Sequence, residues 1–244
     1  MSGRFIAEQV FAYLGLVLWS FQLAPQAIKS YRRKTTEGVS PWMMLIWALS
    51  GAFLGNYNIG LGVAIPLWVQ PQLFAFIAYV CLVQEVHYCK GWSTLKTWLA
   101  LIALCICTGA FEVALLFAFW AAQRNNVQGA ITFFGVMPVV TIIIGFLPQY
   151  IKIFRESKVE GVSRVFLCMD FFGSIFSSIS LGFRDEVDAL DIVNYTAIAV
   201  LDLGIFLLYY FYAWFIGRDK QKQPENGKDD NDSDAITSND DNSM

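Results

Sequence analysis

The chain has 244 residues, of which 56% are apolar, 16% aromatic and only 15% charged. A soluble domain of this size needs more charge on its surface, so the bilayer is the expected solvent. The net charge of -3 hides two regions: from Asp219 onward eight acidic residues outweigh three basic ones, and the remainder carries a small basic excess in short clusters, a distribution that argues against a soluble nucleic-acid-binding protein.

Seven long apolar runs follow one another, each near the ~20 residues that cross a hydrocarbon core. The first, 9–28, lacks the small-residue cleavage pattern of a secretory signal and is expected to persist as a helix. Next come 41–61, 67–86, 96–117, 129–151, 165–183 and 190–215. The stretch 219–244 is rich in Asn, Ser and acidic residues and reads as a disordered, solvated tail that offers a surface for cytosolic regulators. Cys81, Cys89, Cys105, Cys107 and Cys168 fall in or at the ends of these runs, so neither a disulfide framework nor a metal site is expected, and no cofactor is called for.

The loops orient the chain. Lys29, Arg32, Arg33 and Lys34 follow the first run, Lys90 and Lys96 the third, and Lys152, Arg155, Lys158 and Arg164 the fifth; Arg218, Lys220, Lys222 and Lys228 follow the last. Only Arg4, Arg124 and Arg184 stand on the other side. This asymmetry places the first, third and fifth connections and the C-terminus in the cytosol, with the N-terminus lumenal.

The sequence also repeats itself. Pro25, Gln26, Lys29, Arg32, Glu37, Gly38, Val39 and Ser40 recur, each 123 positions later, as Pro148, Gln149, Lys152, Arg155, Glu160, Gly161, Val162 and Ser163. Both copies fall on the cytosolic side, so the repeats are parallel, and a three-helix unit can be duplicated in one orientation only with an extra span between copies. The expected architecture is an all-α integral membrane protein of seven helices. It divides into a first triple-helix bundle at 9–88, a linking helix at 96–117 and a second bundle at 129–216.

The paired Pro-Gln and Glu-Gly-Val-Ser motifs resemble those of the PQ-loop repeat family, which includes cystinosin, the lysosomal and vacuolar basic amino acid exporters and, more distantly, the SWEET sugar transporters. The segment Met169-Asp170-Phe171-Phe172-Gly173-Ser174, with Leu201-Asp202-Leu203, is similar to the second half of the cystinosin branch. Gln70-Pro71-Gln72 is similar to fungal members. The resemblance implies a central path for a small solute, such as an amino acid, that opens alternately to the lumen and the cytosol of a vacuole or lysosome.

Pro25 and Pro148 each lack an amide hydrogen and are expected to kink their helices, leaving carbonyls that Gln26 and Gln149 stand beside. They read as paired hinges; the plain alternative is that they only shape packing. Asp170 and Asp202 lie among apolar residues, where an ionised carboxylate costs several kcal/mol unless it is protonated, paired or hydrated. They are the expected proton-coupling or substrate-binding groups. Asn56, Asn58, Ser174 and Asn194 are candidates for the solute path, or else hydrogen-bonding glue between helices. Gly145, Ile153, Phe166 and Ala48 stand where the cystine-specific branch has polar groups, which argues against cystine itself. Lys29, Arg32, Lys152 and Arg155 read as lipid-facing anchors.

The expected partners are therefore a small-molecule substrate, protons and membrane lipids, with no nucleic acid. A receptor that senses a solute or cargo without transporting it is the alternative, and vesicle flux separates the two. An intramembrane aspartyl protease needs a Gly-x-Gly-Asp setting, whereas Asp202 follows Ala199-Val200-Leu201, so no enzyme is expected.

Overall fold

The computed structural model describes residues 3–36, 40–156 and 163–222, with 215–222 as backbone. Glu37-Gly38-Val39, Glu160-Gly161-Val162 and the tail beyond Lys222 lie outside the described residues. The described chain is all helical: α1 Gly3–Phe21, α2 Ala24–Arg33, α3 Pro41–Leu61, α4 Ile65–Lys90, α5 Thr94–Arg124, α6 Gln128–Glu156, α7 Arg164–Gly182 and α8 Ala189–Lys222. Because α1 and α2 make one apolar span, Gly3–Arg33, these are the seven membrane helices expected, and the protein is multi-pass. Six are apolar and long enough to cross a bilayer on length and composition. The other, α3, has 21 residues, but its polarity is raised by Asn56 and Asn58, which are buried in the protein.

Several boundaries move outward. The last helix continues through Asp219 to Lys222, so the expected tail is helical in its first residues. The fourth run, expected at 96–117, extends to Thr94–Arg124.

The two prolines behave differently. Near Pro25 the helix breaks at Gln22 and Leu23 and restarts at Ala24, with Pro25 in the new first turn, a position that tolerates its missing N–H. Pro148 lies inside an uninterrupted α6, as does Pro138.

Both repeats fold alike. Within the first, α1 and α3 pack on α4; within the second, α6 and α7 pack on α8. Between them the first helix of each repeat crosses to the second helix of the other, α1 on α7 and α3 on α6. These two crossings enclose the centre of the molecule. The linking helix α5 lies against α3 and α4 with a shorter contact to α6. Its most apolar window is only 6% buried, and Trp98, Ile106 and Phe117 point outward. Such a helix is stable in lipid and not in water. The interior is the inverse, holding Gln22, Gln70, Asn58, Asp170, Asp191, Asn194 and Asp202 within it.

The second and sixth helices of the chain's seven begin in the same way. Ser40 Oγ accepts from Met43 N at 3.4 Å and Ser163 Oγ from Val165 N at 3.2 Å, so each motif serine is the N-cap of the helix that follows it. Ser40→Ala and Ser163→Ala are each expected to lower stability by about 1 kcal/mol, measurable as a lower unfolding temperature in detergent, with glycine replacements costing less.

The two motif segments share one end of the bundle. Ile46, early in α3, lines the same external groove as Pro148, Lys152 and Arg155, late in α6. Lys34, which ends α2, lies over the rings of Tyr31 and of Tyr88 near the end of α4, and Arg164 at the start of α7 lies over Tyr209 late in α8. The basic clusters read from the sequence thus gather at a single end.

Candidate functional site

Each helix contributes to the centre a face set by its own periodicity. In α7, Asp170, Gly173, Ser174, Ser177 and Ser180 recur at steps of three and four and form one small, polar face. Phe172, two positions from Asp170, points outward. Small residues let α1 come close: a Cβ on Gly15 would stand 2.6 Å from Ser177 Oγ and 3.2 Å from Gly173 O, and one on Gly173 3.1 Å from the Trp19 ring. That approach brings Trp19 onto Asp170, to which the indole Nε1 donates a short hydrogen bond. Gln22, at the break that follows α1, lies beside the same carboxyl.

Opposite stands Asp202 of α8. Asp170 and Asp202 are both buried, and their carboxyl groups face each other. Among the described residues neither oxygen of Asp202 accepts a hydrogen bond from an amide, indole or hydroxyl. Two facing carboxyls bond to each other only when one carries a proton, and two negative charges at that separation in an apolar interior repel strongly. The two acids thus form a close pair contributed by neighbouring helices of the second repeat. Tyr150 of α6 flanks it, donating from its hydroxyl to Leu201 O beside Asp202.

Beside Asp170 lies a cavity of about 20 Å³ whose lining includes Trp19, Trp47, Phe74, Phe146 and Ile198, room for about one water and no larger solute. Its walls are stacked rings: Trp47 lies parallel to Phe166 at 5.4 Å and tilts against Phe146 at 5.4 Å, and Trp19 stacks on Phe74 at 5.2 Å. Gly145 makes this possible, since any Cβ there would overlap the Trp47 indole. The apolar replacements at Gly145 and Phe166 noted in the sequence are thus parts of one aromatic wall.

Beyond the cavity a belt of hydrogen bonds ties the two repeats. Gln70 Nε2 donates to Ser177 Oγ at 3.0 Å and to Tyr195 OH at 2.9 Å, Asn58 Nδ2 donates to Leu67 O at 2.8 Å and to Tyr195 OH at 2.9 Å, and Tyr195 OH donates to Leu67 O at 3.1 Å. At the far end Asn194 Nδ2 donates to Gly135 O at 3.0 Å, and Tyr57 OH donates to Asp188 Oδ1 at 3.0 Å.

Of the residues singled out in the sequence, Asp170 and Asp202 stand together and Asn58 joins the belt between repeats; Ser174 is buried on the same face of α7 as Asp170, and Asn194 bonds α6 within the second repeat. Asn56 Nδ2 donates to Glu112 O of α5 at 2.6 Å, so it fastens the linking helix to the first repeat. Gln26 bonds Ser30 one turn on at 3.2 Å, and Gln149 is buried in α6. Sequence reasoning missed Trp19, Gln22, Trp47, Gln70 and Tyr195. A signal for one of them existed, because Trp47 occupies the repeat position 123 residues before Asp170.

Comparison with known proteins agrees with this architecture. A model of the PQ loop repeat matches residues 7–67 and 130–187. An uncharacterised protein of Schizosaccharomyces pombe is 38% identical over 84% of this chain and 72% of its own length. Cystinosin of Bos taurus is 24% identical over 86% of this chain and 62% of its own. Among solved structures a eukaryotic SWEET transporter superposes with a TM-score of 0.63 at 15% identity, covering 87% of this chain and all of that one, a likeness of fold.

Proposed function

Because the chain belongs to the PQ-loop repeat family, we propose that it is a transporter, not an enzyme, moving a small solute across an organelle membrane by proton-coupled alternating access. The solute is an amino acid or a derivative of one, and the membrane that of a vacuole or lysosome, with the N-terminus lumenal and the C-terminus cytosolic. The observation that carries this reading is the facing of Asp170 and Asp202, contributed by α7 and α8 and held against Trp19 of the opposite repeat. A static scaffold has no use for two buried carboxyls without a cation between them; a carrier that loads a proton on an acidic side and releases it on the other does.

Alternation follows from how the repeats meet. The belt of Gln70, Ser177, Tyr195 and Asn58 and the α1–α7 and α3–α6 crossings are the contacts that a rocking motion exchanges, while each triple-helix unit moves as a body. Protonation of the pair removes its charge, lowers the cost of enclosing it in an apolar core and permits the closed form. The wet, open form suits the ionised pair. The break at Gln22 and Leu23 gives the first repeat a place to bend beside the pair.

The test is flux in proteoliposomes holding the full chain, loaded with labelled amino acids of each charge class and given an imposed pH gradient. At least one solute should leave the acidic compartment faster when the gradient is present, with co-transport of protons recorded by a pH dye. If the gradient accelerates no member of the panel, the reading fails.

A further inference from the structure

Asp191 reads in the sequence as one more acid after Asp185, Glu186 and Asp188, and the structure separates it from them. Asp191, Asn194, Tyr195, Ile198 and Asp202 recur along α8 at steps of three and four, so they share one face, and all five are buried. Eleven residues set the two aspartates ~16 Å apart along the helix axis. Asp202 meets Asp170 at one end of this face; Asp191 stands at the other, beside the connection 183–188.

Both oxygens of Asp191 accept no hydrogen bond among the described residues, nor does Asn194 Oδ1 one turn along, nor Asn58 Oδ1 across on α3. The nitrogens of both asparagines are already engaged, by Gly135 O and by Leu67 O and Tyr195 OH. What this end of the interface still offers is acceptor capacity and one formal negative charge. The charged and titratable groups within electrostatic reach of Asp191 are Asp188 and Arg184 from the preceding connection, Tyr195 from its own helix and Tyr57 from α3. Asp188 Oδ1 is occupied by Tyr57 OH and the Asp191 N–H. Arg184 donates to Leu61 O at 3.3 Å, and no ion pair joins it to Asp191 among the described residues. A buried carboxylate lacking donors calls for a cation and repels an anion.

We infer that Asp191, with the carbonyl oxygen of Asn194 beside it, binds a monovalent cationic group at the end of the interface opposite the Asp170 and Asp202 pair. The shared chemistry is a positive charge met by carboxylate and amide oxygens, supplied either by the ammonium group of an organic solute or by an inorganic cation. Assigning that cation to the carried solute rests on the transport reading, and the binding does not.

Thermal unfolding of the purified full-length protein in detergent tests it, with methylammonium, lysine, sodium and potassium chlorides titrated against bulky tetraethylammonium chloride at constant ionic strength. A saturable rise in unfolding temperature is expected with at least one of them. A response to methylammonium and lysine alone identifies the ammonium source, and a response to sodium or potassium alone the inorganic one. Asp191→Asn should weaken that response more than about tenfold, as expected for loss of a charge-assisted bond, and Asp191→Glu should restore part of it, whereas Asp202→Asn should keep it. The proposal is overturned if no cation stabilises the wild type saturably, an outcome readable even if the Asn variant does not fold, or if Asp191→Asn responds as the wild type does. Proton-driven flux without cation binding would sink this inference and leave the transport reading standing; cation binding without flux would do the reverse.

Discussion

Asp202→Asn is expected to abolish proton-driven solute movement in proteoliposomes, reducing it to the rate of empty vesicles, while making the protein more stable. The reason lies in the environment of the side chain. Asp202 is buried, and its nearest polar neighbour is a second carboxyl. An amide has the same shape as a protonated carboxyl and can donate to Asp170, so it mimics the proton-loaded state without releasing the proton. An amide needs no proton to stay neutral beside Asp170, so the variant should gain about 1 kcal/mol or more of stability, read as a higher unfolding temperature. Solute exchange between equal concentrations on both sides, which needs no net proton release, should survive better than gradient-driven flux. Asp170→Asn should lose gradient-driven flux as well, and with it the pairing to Trp19 depends on which way the amide turns. A variant Asp202→Asn that retained full gradient-driven transport would remove the pair from the mechanism.

Gly145→Ala should damage the site from the opposite direction, through volume alone. A Cβ at this position would overlap Cδ1 and Nε1 of the Trp47 indole. That ring cannot slide aside, being stacked on Phe166 and tilted against Phe146. Overpacking a close-fitted interior costs typically 1–3 kcal/mol, and here the relief available is to push α6 from α3, which opens the cavity wall. Unfolding temperature and flux should both fall. Gly109, whose Cβ would meet nothing within 4 Å, supplies the control, since Gly109→Ala should leave both unchanged. A Gly145→Ala protein indistinguishable from that control would mean that the α3–α6 contact is loose enough to accommodate a methyl group, against the packing described.

Much of the fold was legible because two of its determinants are one-dimensional. Hydrocarbon thickness sets the length of each span, and a duplicated motif sets the relation of one half to the other. The seven helices, the parallel repeats and the linking position of α5 follow from those alone. What the sequence left open was lateral. Pro25 and Pro148 occupy matched positions, yet only the first lies next to an interruption of its helix. Asn56 and Asn58 are two residues apart and were grouped together, but on a helix that spacing turns them to different sides, one toward α5 and the other toward α8.

The candidate site divides in the same way. Asp170 and Asp202 announce themselves in the sequence, because a carboxyl inside an apolar run is costly wherever the run packs. Their meeting with each other, the indole of Trp19 and the aromatic wall around Trp47 do not, because these join helices up to 151 positions apart in the chain. Asp191 is the instructive case, since beside three other acids its burial is invisible until α8 is seen to begin there and turn it inward. By itself the sequence determined that this protein lives in a membrane, how many times it crosses and that its halves are copies, since solvent and duplication act on every residue in chain order. Which acids face each other and which buried oxygens remain open were decided by the crossing of α1 on α7 and α3 on α6, where small residues let one helix approach another and fix which side chains share a space.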